Sequence, residues 1–357
     1  MKRITAIVYG VGTMGRSITR LMVEKGVSIV GAIDINPEIV GKDLGDVAEL
    51  GSSLKVPISD DAEAVLSECE ADIVVLPLVS LIADLYPHVE KCVRNHHNVI
   101  TLSRELLYPW DISPVLASKI DHLAKAYDVT VTGTGNGDLL FVNLIGVMTG
   151  ASHSIRAIRG RLVYDINDYG PNVARDMHVG KTTDEVYGSL KGQAIVPSAF
   201  RMGLDALVND LGLTTKKVVQ RTEPTADDVD LKCKSLGIAI PKGQVTGLAE
   251  IVELETEEGL AFRGELIGKV CREGESDSSE WSIEGIPNAF LRNDNYNMAV
   301  SAAVLLTNRI PDVINSDPGL VTVDKLPKMT YRAFPLQHYL NGGHARRGGA
   351  LGTAAAD

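Results

Sequence analysis

The chain has 357 residues, 45% of them hydrophobic, which is longer than one compact domain usually runs and gives two domains as the expectation. Its formal net charge of −11, with basic residues scattered, argues against a nucleic-acid partner, which would need clustered Lys and Arg. Cys69, Cys92, Cys233 and Cys271 form no CxxC pair, so buried reduced thiols are expected rather than a disulfide framework or a zinc site.

In chain order, Ile4 to Tyr9 is a β-rich run without alternation, the pattern of a central parallel strand covered on both faces. A glycine turn follows, then a helical pattern over 17–25, in which Ile18, Leu21 and Met22 share a face and Gly26 is the stop. A second strand runs over 28–33 and ends at Asp34. Strands are predicted at 73–76, 99–102 and 129–132, with helices at 61–68, 80–94 and 112–126, the rhythm of a doubly wound α/β sheet. These elements predict a Rossmann domain over residues 1–135.

Beyond Gly133-Thr134-Gly135-Asn136-Gly137 the pattern changes. Leu139–Met148 reads as an apolar helix and 154–164 as a half-exposed strand. Two segments, 247–255 and 260–267, flank a Glu-Glu-Gly turn and predict an antiparallel hairpin, with another short strand near Trp281. The run from Met298 to Leu306 is apolar nearly all round, so a buried helix is expected, packed back towards the first domain. The second, α+β domain is placed at 136–330, with a flexible tail at 338–357. The N-terminus shows no secretory signal, and no stretch approaches the roughly 20 apolar residues of a membrane span, so a cytoplasmic location is the expectation.

The glycine turn reads Gly10-Val11-Gly12-Thr13-Met14-Gly15, between a strand and a helix. Gly10 permits the tight turn, Gly12 lets the backbone approach a pyrophosphate, Gly15 allows helix–strand packing, and the loop with Thr13 and Met14 forms the dinucleotide cradle. Asp34 closes the next strand, where a carboxylate accepts ribose hydroxyls and repels a 2′-phosphate. NAD is therefore favoured, with NADP left open. Ser80 follows the 73–76 strand and reads either as a ribose contact or as a helix cap. Glu105 sits beyond another strand end, facing the ligand crevice, capping the helix near Leu106 or pairing with Arg104. Adjacent His96 and His97 lack ligand spacing, so no metal is expected.

Several segments together resemble the 2,4-diaminopentanoate dehydrogenase and native amine dehydrogenase family, whose N-terminal domain is related to dihydrodipicolinate reductase. They are the 10–15 loop, Ile33–Gly45, Thr101–Trp110, Gly133–Gly135, Val179–Glu185, Ile286-Pro287, Asn308–Pro311, Asp317–Leu320 and Leu326-Pro327. The resemblance implies NAD(P)-dependent, reversible deamination of a small amine or diamino acid to a carbonyl compound and ammonia, in a homodimer, with Glu105 as the catalytic carboxylate. Alternatives are an imine or carbonyl reductase of the dihydrodipicolinate-reductase type, or a non-catalytic dinucleotide-binding protein. Phe141, Tyr169 and His178 are candidate substrate contacts, with Phe141 alternatively a core residue and His178 an exposed loop histidine, and Asp165 and Asp168 either hold a second amino group or are solvated loop carboxylates. The chain departs from the family at Asn136-Gly137-Asp138, where Asn-Pro-Gly is common, and at Val196-Pro197 and Met202-Gly203, in place of Gly-His and Glu-Ser.

Overall fold

The computed structural model describes residues 2–78, 81–191, 198–294 and 296–341. The first half alternates strand and helix: β1 (Thr5–Tyr9), α1 (Thr13–Glu24), β2 (Ser28–Ile33), α2 (Leu44–Val47), β3 (Ile58–Ser59), α3 (Ala62–Glu68), β4 (Ile73–Leu76), α4 (Ile82–Arg94), β5 (Asn98–Thr101), α5 (Pro114–Ala126) and β6 (Thr130–Gly133). After a π-helical segment over Gly137–Asn143 come α6 (Leu144–Thr149), β7 (Ser154–Asp165), α7 (Pro171–Asp176), α8 (Thr183–Leu190), α9 (Ala199–Asp210) and β8 (Thr215–Ala226). The chain continues through β9 (Leu231–Cys233), β10 (Ile238–Ile240), β11 (Val245–Thr256), β12 (Ala261–Lys269), β13 (Ser278–Ile286), β14 (Ala289–Asp294), α10 (Met298–Ile314) and β15 (Gly319–Leu320).

Seven strands form a parallel sheet in the order β15-β6-β5-β4-β1-β2-β3. The order reverses between β1 and β4, and that switch opens the crevice at which such sheets bind ligands. One face of the sheet packs on Ile18 and Met22 of α1 and on Ala303, Leu306, Ile310 and Val313 of α10. The other face packs on Leu85 and Val89 of α4 and on Ala117 and Ile120 of α5. The fold is thus the expected α/β type, and α10 does return to the first sheet. The β15 strand returns with it, adding an edge that the sequence reading did not anticipate.

The second sheet has the order β14-β13-β7-β12-β11-β8 and is mixed, because β7 and β12 run parallel while its other neighbours are antiparallel. The predicted hairpin is β11–β12, paired from Gly247 with Lys269 to Glu255 with Ala261. Its inner face carries Ile158, Leu162, Val252, Leu254, Phe262 and Trp281 against Phe141 and Phe200, whose rings stack at 4.3 Å. Residues 338–341 are tied down: the Tyr339 carbonyl accepts from Asn315 at 2.8 Å, and Asn341 N–H donates to Asn315 at 2.9 Å. The rest of the expected tail, 342–357, lies outside the described residues.

The two halves meet at a fully buried ion pair. Arg309 Nε and Nη2 each donate to Asp138 at 2.7 Å, and both side chains are inaccessible to water. Thr134 and Asn143 complete the carboxylate's shell at 2.8 and 2.5 Å, and Asp312 accepts from Arg309 Nη1 at 3.1 Å. Removing one partner of such a pair strands the other without water. Asp138→Asn should lower unfolding free energy by about 3–5 kcal/mol in urea titration, while the double change Asp138→Leu/Arg309→Met should cost clearly less. Equal losses for the single and double variants would refute this view of the pair.

Candidate functional site

The glycine loop leaves β1 with Gly10 at φ +112°, and its N–H donates to the Ile33 carbonyl at 2.8 Å, binding the loop to the end of β2. A Cβ on Gly15 would stand 1.9 Å from the Gly10 carbonyl oxygen, so only glycine lets α1 begin this close to the loop. A Cβ on Gly12, by contrast, would meet nothing within 4 Å. Gly12 is also the N-cap of α1, with no side chain bonded to the cap and no acidic residue in the first turn. Open space in front of a free helix N-terminus fits the pyrophosphate of a dinucleotide. Thr13 and Met14 open that helix. Asp34 Oδ2 accepts from Val11 N–H at 2.6 Å and Oδ1 from Asn36 N–H at 2.9 Å, which fixes the carboxylate beside the loop. Ile35 next to it is 85% exposed, an apolar surface at the place where an adenine ring would need one. Ser80 lies outside the described residues.

Glu105 sits in a 3-10 turn, Arg104–Leu107, just past β5. The turn presses against the end of β6, where a Cβ on Gly133 would come 2.4 Å from the backbone of Leu106. Glu105 is buried, and its Oε2 accepts from Ile82 N–H at 2.6 Å. Ile82 is the first residue of α4, whose own N-cap, Leu81, offers no side-chain acceptor. Glu105 therefore caps α4, not the turn that carries it, and the cap fixes one carboxylate oxygen at the switch-point edge.

Across from this turn lies the inner face of the second sheet. Tyr164 ends β7 and lies over Gly268 of the parallel neighbour β12, where a Cβ would stand 2.5 Å from the tyrosine hydroxyl. Tyr169 meets Tyr164 edge to face at 5.2 Å. Burial pushes both phenols well above the usual range; Glu250 adds to this for Tyr164, and Asp277 for Tyr169. Both therefore stay neutral, as donors, throughout the working pH range. Asp277 is buried and accepts from the backbone N–H of Asp165 and of Met298, each at 2.9 Å, so it joins the end of β7 to the start of α10. Asp165 uses Oδ1 on its own turn, accepting from Asn167 N–H at 3.0 Å.

The other candidates are dispersed. Phe141 is buried in the aromatic core between Phe200 and Trp281, with Gly203 packed against its ring. His178 sits at φ +58° and bonds to Lys181 at 3.2 Å; burial and that lysine lower its affinity for a proton. Of the two family departures, Asn136-Gly137-Asp138 supplies the carboxylate for Arg309, whereas Val196-Pro197 lies outside the described residues. Sequence reading missed Arg309, Asp138, Asp277 and Glu250. Glu250 carried a signal, because it interrupts the inner-face series Leu248, Val252, Leu254 along β11.

Two outcomes follow from these positions. Asp34→Ala should weaken NAD⁺ binding roughly tenfold to hundredfold in calorimetric titration, as expected for losing a charge-assisted bond to ribose hydroxyls. Undiminished affinity would remove Asp34 from the cofactor site. The second concerns Asp205 on α9, which packs against the Glu105 turn. Burial raises its carboxyl from 3.8 to about 6, against the opposing pull of Arg201 at 2.5 Å. The folded protein thus binds this proton more tightly than the unfolded chain, so stability from this group is full below pH 3.8 and is lost as pH rises through about 6. In denaturant titrations across that window, the parent's stability relative to Asp205→Asn should fall as pH rises; a pH-independent difference would refute the assignment.

Comparison with known proteins bears on the whole chain. The family model for the 2,4-diaminopentanoate dehydrogenase C-terminal domain matches residues 139–334. The 2,4-diaminopentanoate dehydrogenase of Acetoanaerobium sticklandii is 28% identical over 344 residues, covering 92% of this chain and 94% of the relative. The solved structure of an amine dehydrogenase from Mycobacterium smegmatis superimposes with a TM-score of 0.87 at 41% identity, covering 93% of this chain and 98% of that one. A shorter match, 42% identical over 66 residues, is to a 4-hydroxy-tetrahydrodipicolinate reductase of Mastigocladus laminosus and covers 18% of this chain and 24% of the relative.

Proposed function

The chain belongs to the 2,4-diaminopentanoate dehydrogenase family and is an NAD(P)-dependent amine dehydrogenase; we propose that it uses NAD to deaminate a small amine or diamino acid reversibly, with Glu105 as its acid–base group. The observation that carries this reading is the buried Glu105 carboxylate, held by the start of α4 at the switch point of the parallel sheet.

The glycine loop, the N-terminus of α1 and Asp34 hold the dinucleotide, whose nicotinamide supplies the hydride acceptor. Glu105 takes a proton from the substrate ammonium, because only the neutral amine can release electron density into the carbon that loses hydride. Once that proton has passed to solvent, the restored negative charge faces the cationic imine nitrogen and lowers the energy of that species. The same carboxylate draws a proton from the water that adds to carbon and returns it to the nitrogen, so that ammonia leaves as the carbonyl forms and the hydroxyl proton is lost. Tyr164 and Tyr169 stand opposite as neutral hydroxyl donors and aromatic walls. Phe141 supports the second sheet from the core.

A homodimer in the cytoplasm completes the proposal. Among the described residues no helix is long and apolar enough to cross a membrane. The outer face of the second sheet alternates charge, with Glu284 between Arg156 and Arg159, and Arg263 between Glu253 and Glu265, a pattern a second copy can match.

The test is NADH oxidation with ammonium and a panel of small ketones and aldehydes. Turnover should require ammonium, and Glu105→Gln should cut it roughly 10²- to 10⁴-fold with NAD⁺ affinity unchanged. Turnover that persists without ammonium would sink the amine reading, and full activity of Glu105→Gln would sink the acid–base assignment.

A further inference from the structure

Arg104 and Glu250 belong to different halves of the molecule and carry opposite charges. Arg104 rides on the turn that holds Glu105, next to the first sheet; Glu250 lies in the middle of β11, paired with Leu266 of β12 and Thr222 of β8. Strand alternation puts Glu250 on the inner face with Val252 and Leu254, which belong to the apolar core. A glutamate in that stripe is costly unless something answers its charge.

Neither group is fully answered. Arg104 Nε and Glu250 Oε2 are both buried without a hydrogen-bond partner. They nevertheless share a field, since Arg104 draws the Glu250 carboxyl downward against the upward push of burial, and lowers the Tyr164 phenol as well. Among the described residues no ion pair within 4 Å involves either side chain. The two charges thus act on each other without an ion pair, and each keeps one buried polar atom unbonded.

We propose that Arg104 and Glu250 are positioning residues that join across the crevice when it is occupied, setting the turn that presents Glu105 to the substrate. Joining satisfies both stranded atoms at once. Excluding water from the filled crevice strengthens the pair. The inference rests on the Glu105 reading for its consequence in turnover, but the pairing itself does not.

A charge-exchange cycle tests it, with Arg104→Glu, Glu250→Arg and the double variant compared with the parent. Two readouts are taken: kcat and KM for the carbonyl substrate, and the melting temperature of the protein saturated with NADH. Each single variant should lose kcat with little change in NADH affinity, and the double should recover at least about fivefold over the product of the single losses. Arg104→Lys, which keeps the charge, should retain more activity than Arg104→Gln, covering the case in which an exchange variant fails to fold. Coupling in either readout supports the pair; strictly additive losses in both overturn it. Because the melting readout needs no turnover, failure of Glu105 as the acid–base group would appear separately, as an active Glu105→Gln protein.

Discussion

The Asp138–Arg309 pair is the constraint on which the two-sheet arrangement turns. Asp138 lies five residues beyond the end of β6, and Arg309 lies within α10, 171 residues away. A guanidinium and a carboxylate without access to water tolerate very little slack, because any lost bond leaves a desolvated charge. The pair therefore fixes where α10 sits against the departing chain. From there the consequences spread outwards: α10 covers one face of the first sheet, and its N-terminal residue Met298 bonds through Asp277 to the end of β7. One buried carboxylate sets the seat of the second sheet, and another aligns its edge with the crevice.

That arrangement separates rigid tasks from adaptable ones. The dinucleotide side is built from backbone: a glycine loop, an uncapped helix N-terminus, and a carboxylate locked by two backbone N–H groups. The loop and helix end suit the pyrophosphate that every dinucleotide has, while the carboxylate suits a ribose without a 2′-phosphate. The side facing it is built from side chains: Tyr164 and Glu250 on the long strands β7 and β11, and Tyr169 on the 3-10 turn that follows β7. Strand pairing is independent of those side chains, so in the proposed function substitution there would change what is accepted without disturbing the cofactor.

How much of this could be read from sequence follows from the range of the interactions. The glycine loop, the strand–helix rhythm and the β11–β12 hairpin are local patterns, and local periodicity reveals them. The parallel pairing of β7 with β12 is not, since the partners lie about a hundred residues apart and nothing in either strand names the other. The two-residue β15 is too short to have a period. Asp138 and Arg309 look like polar residues beside apolar stretches, and Asp277 like one more carboxylate in a polar loop, until their partners are known. Glu250 shows the same irregularity, and it was open to notice: a lone carboxylate on the buried side of an otherwise apolar strand is a local conflict, and such conflicts concentrate at functional sites.

Glu105 illustrates why a structural role and a chemical one should not be set against each other. From sequence, helix capping and catalysis compete for the same residue. In the fold, the cap is made to a different helix, α4, and it uses one oxygen of the carboxylate. A general base needs a fixed orientation as much as it needs a suitable proton affinity, because proton transfer depends on hydrogen-bond geometry within a few tenths of an ångström. A flexible glutamate on a surface loop would have to be ordered at every turnover. Bonding to Ile82 removes that freedom in advance, and the close contact of the turn with Gly133 removes the rest. In the acid–base role proposed for Glu105, the cap would hold one oxygen while the other acts, at a helix that begins six residues after β4, the strand that borders the switch point.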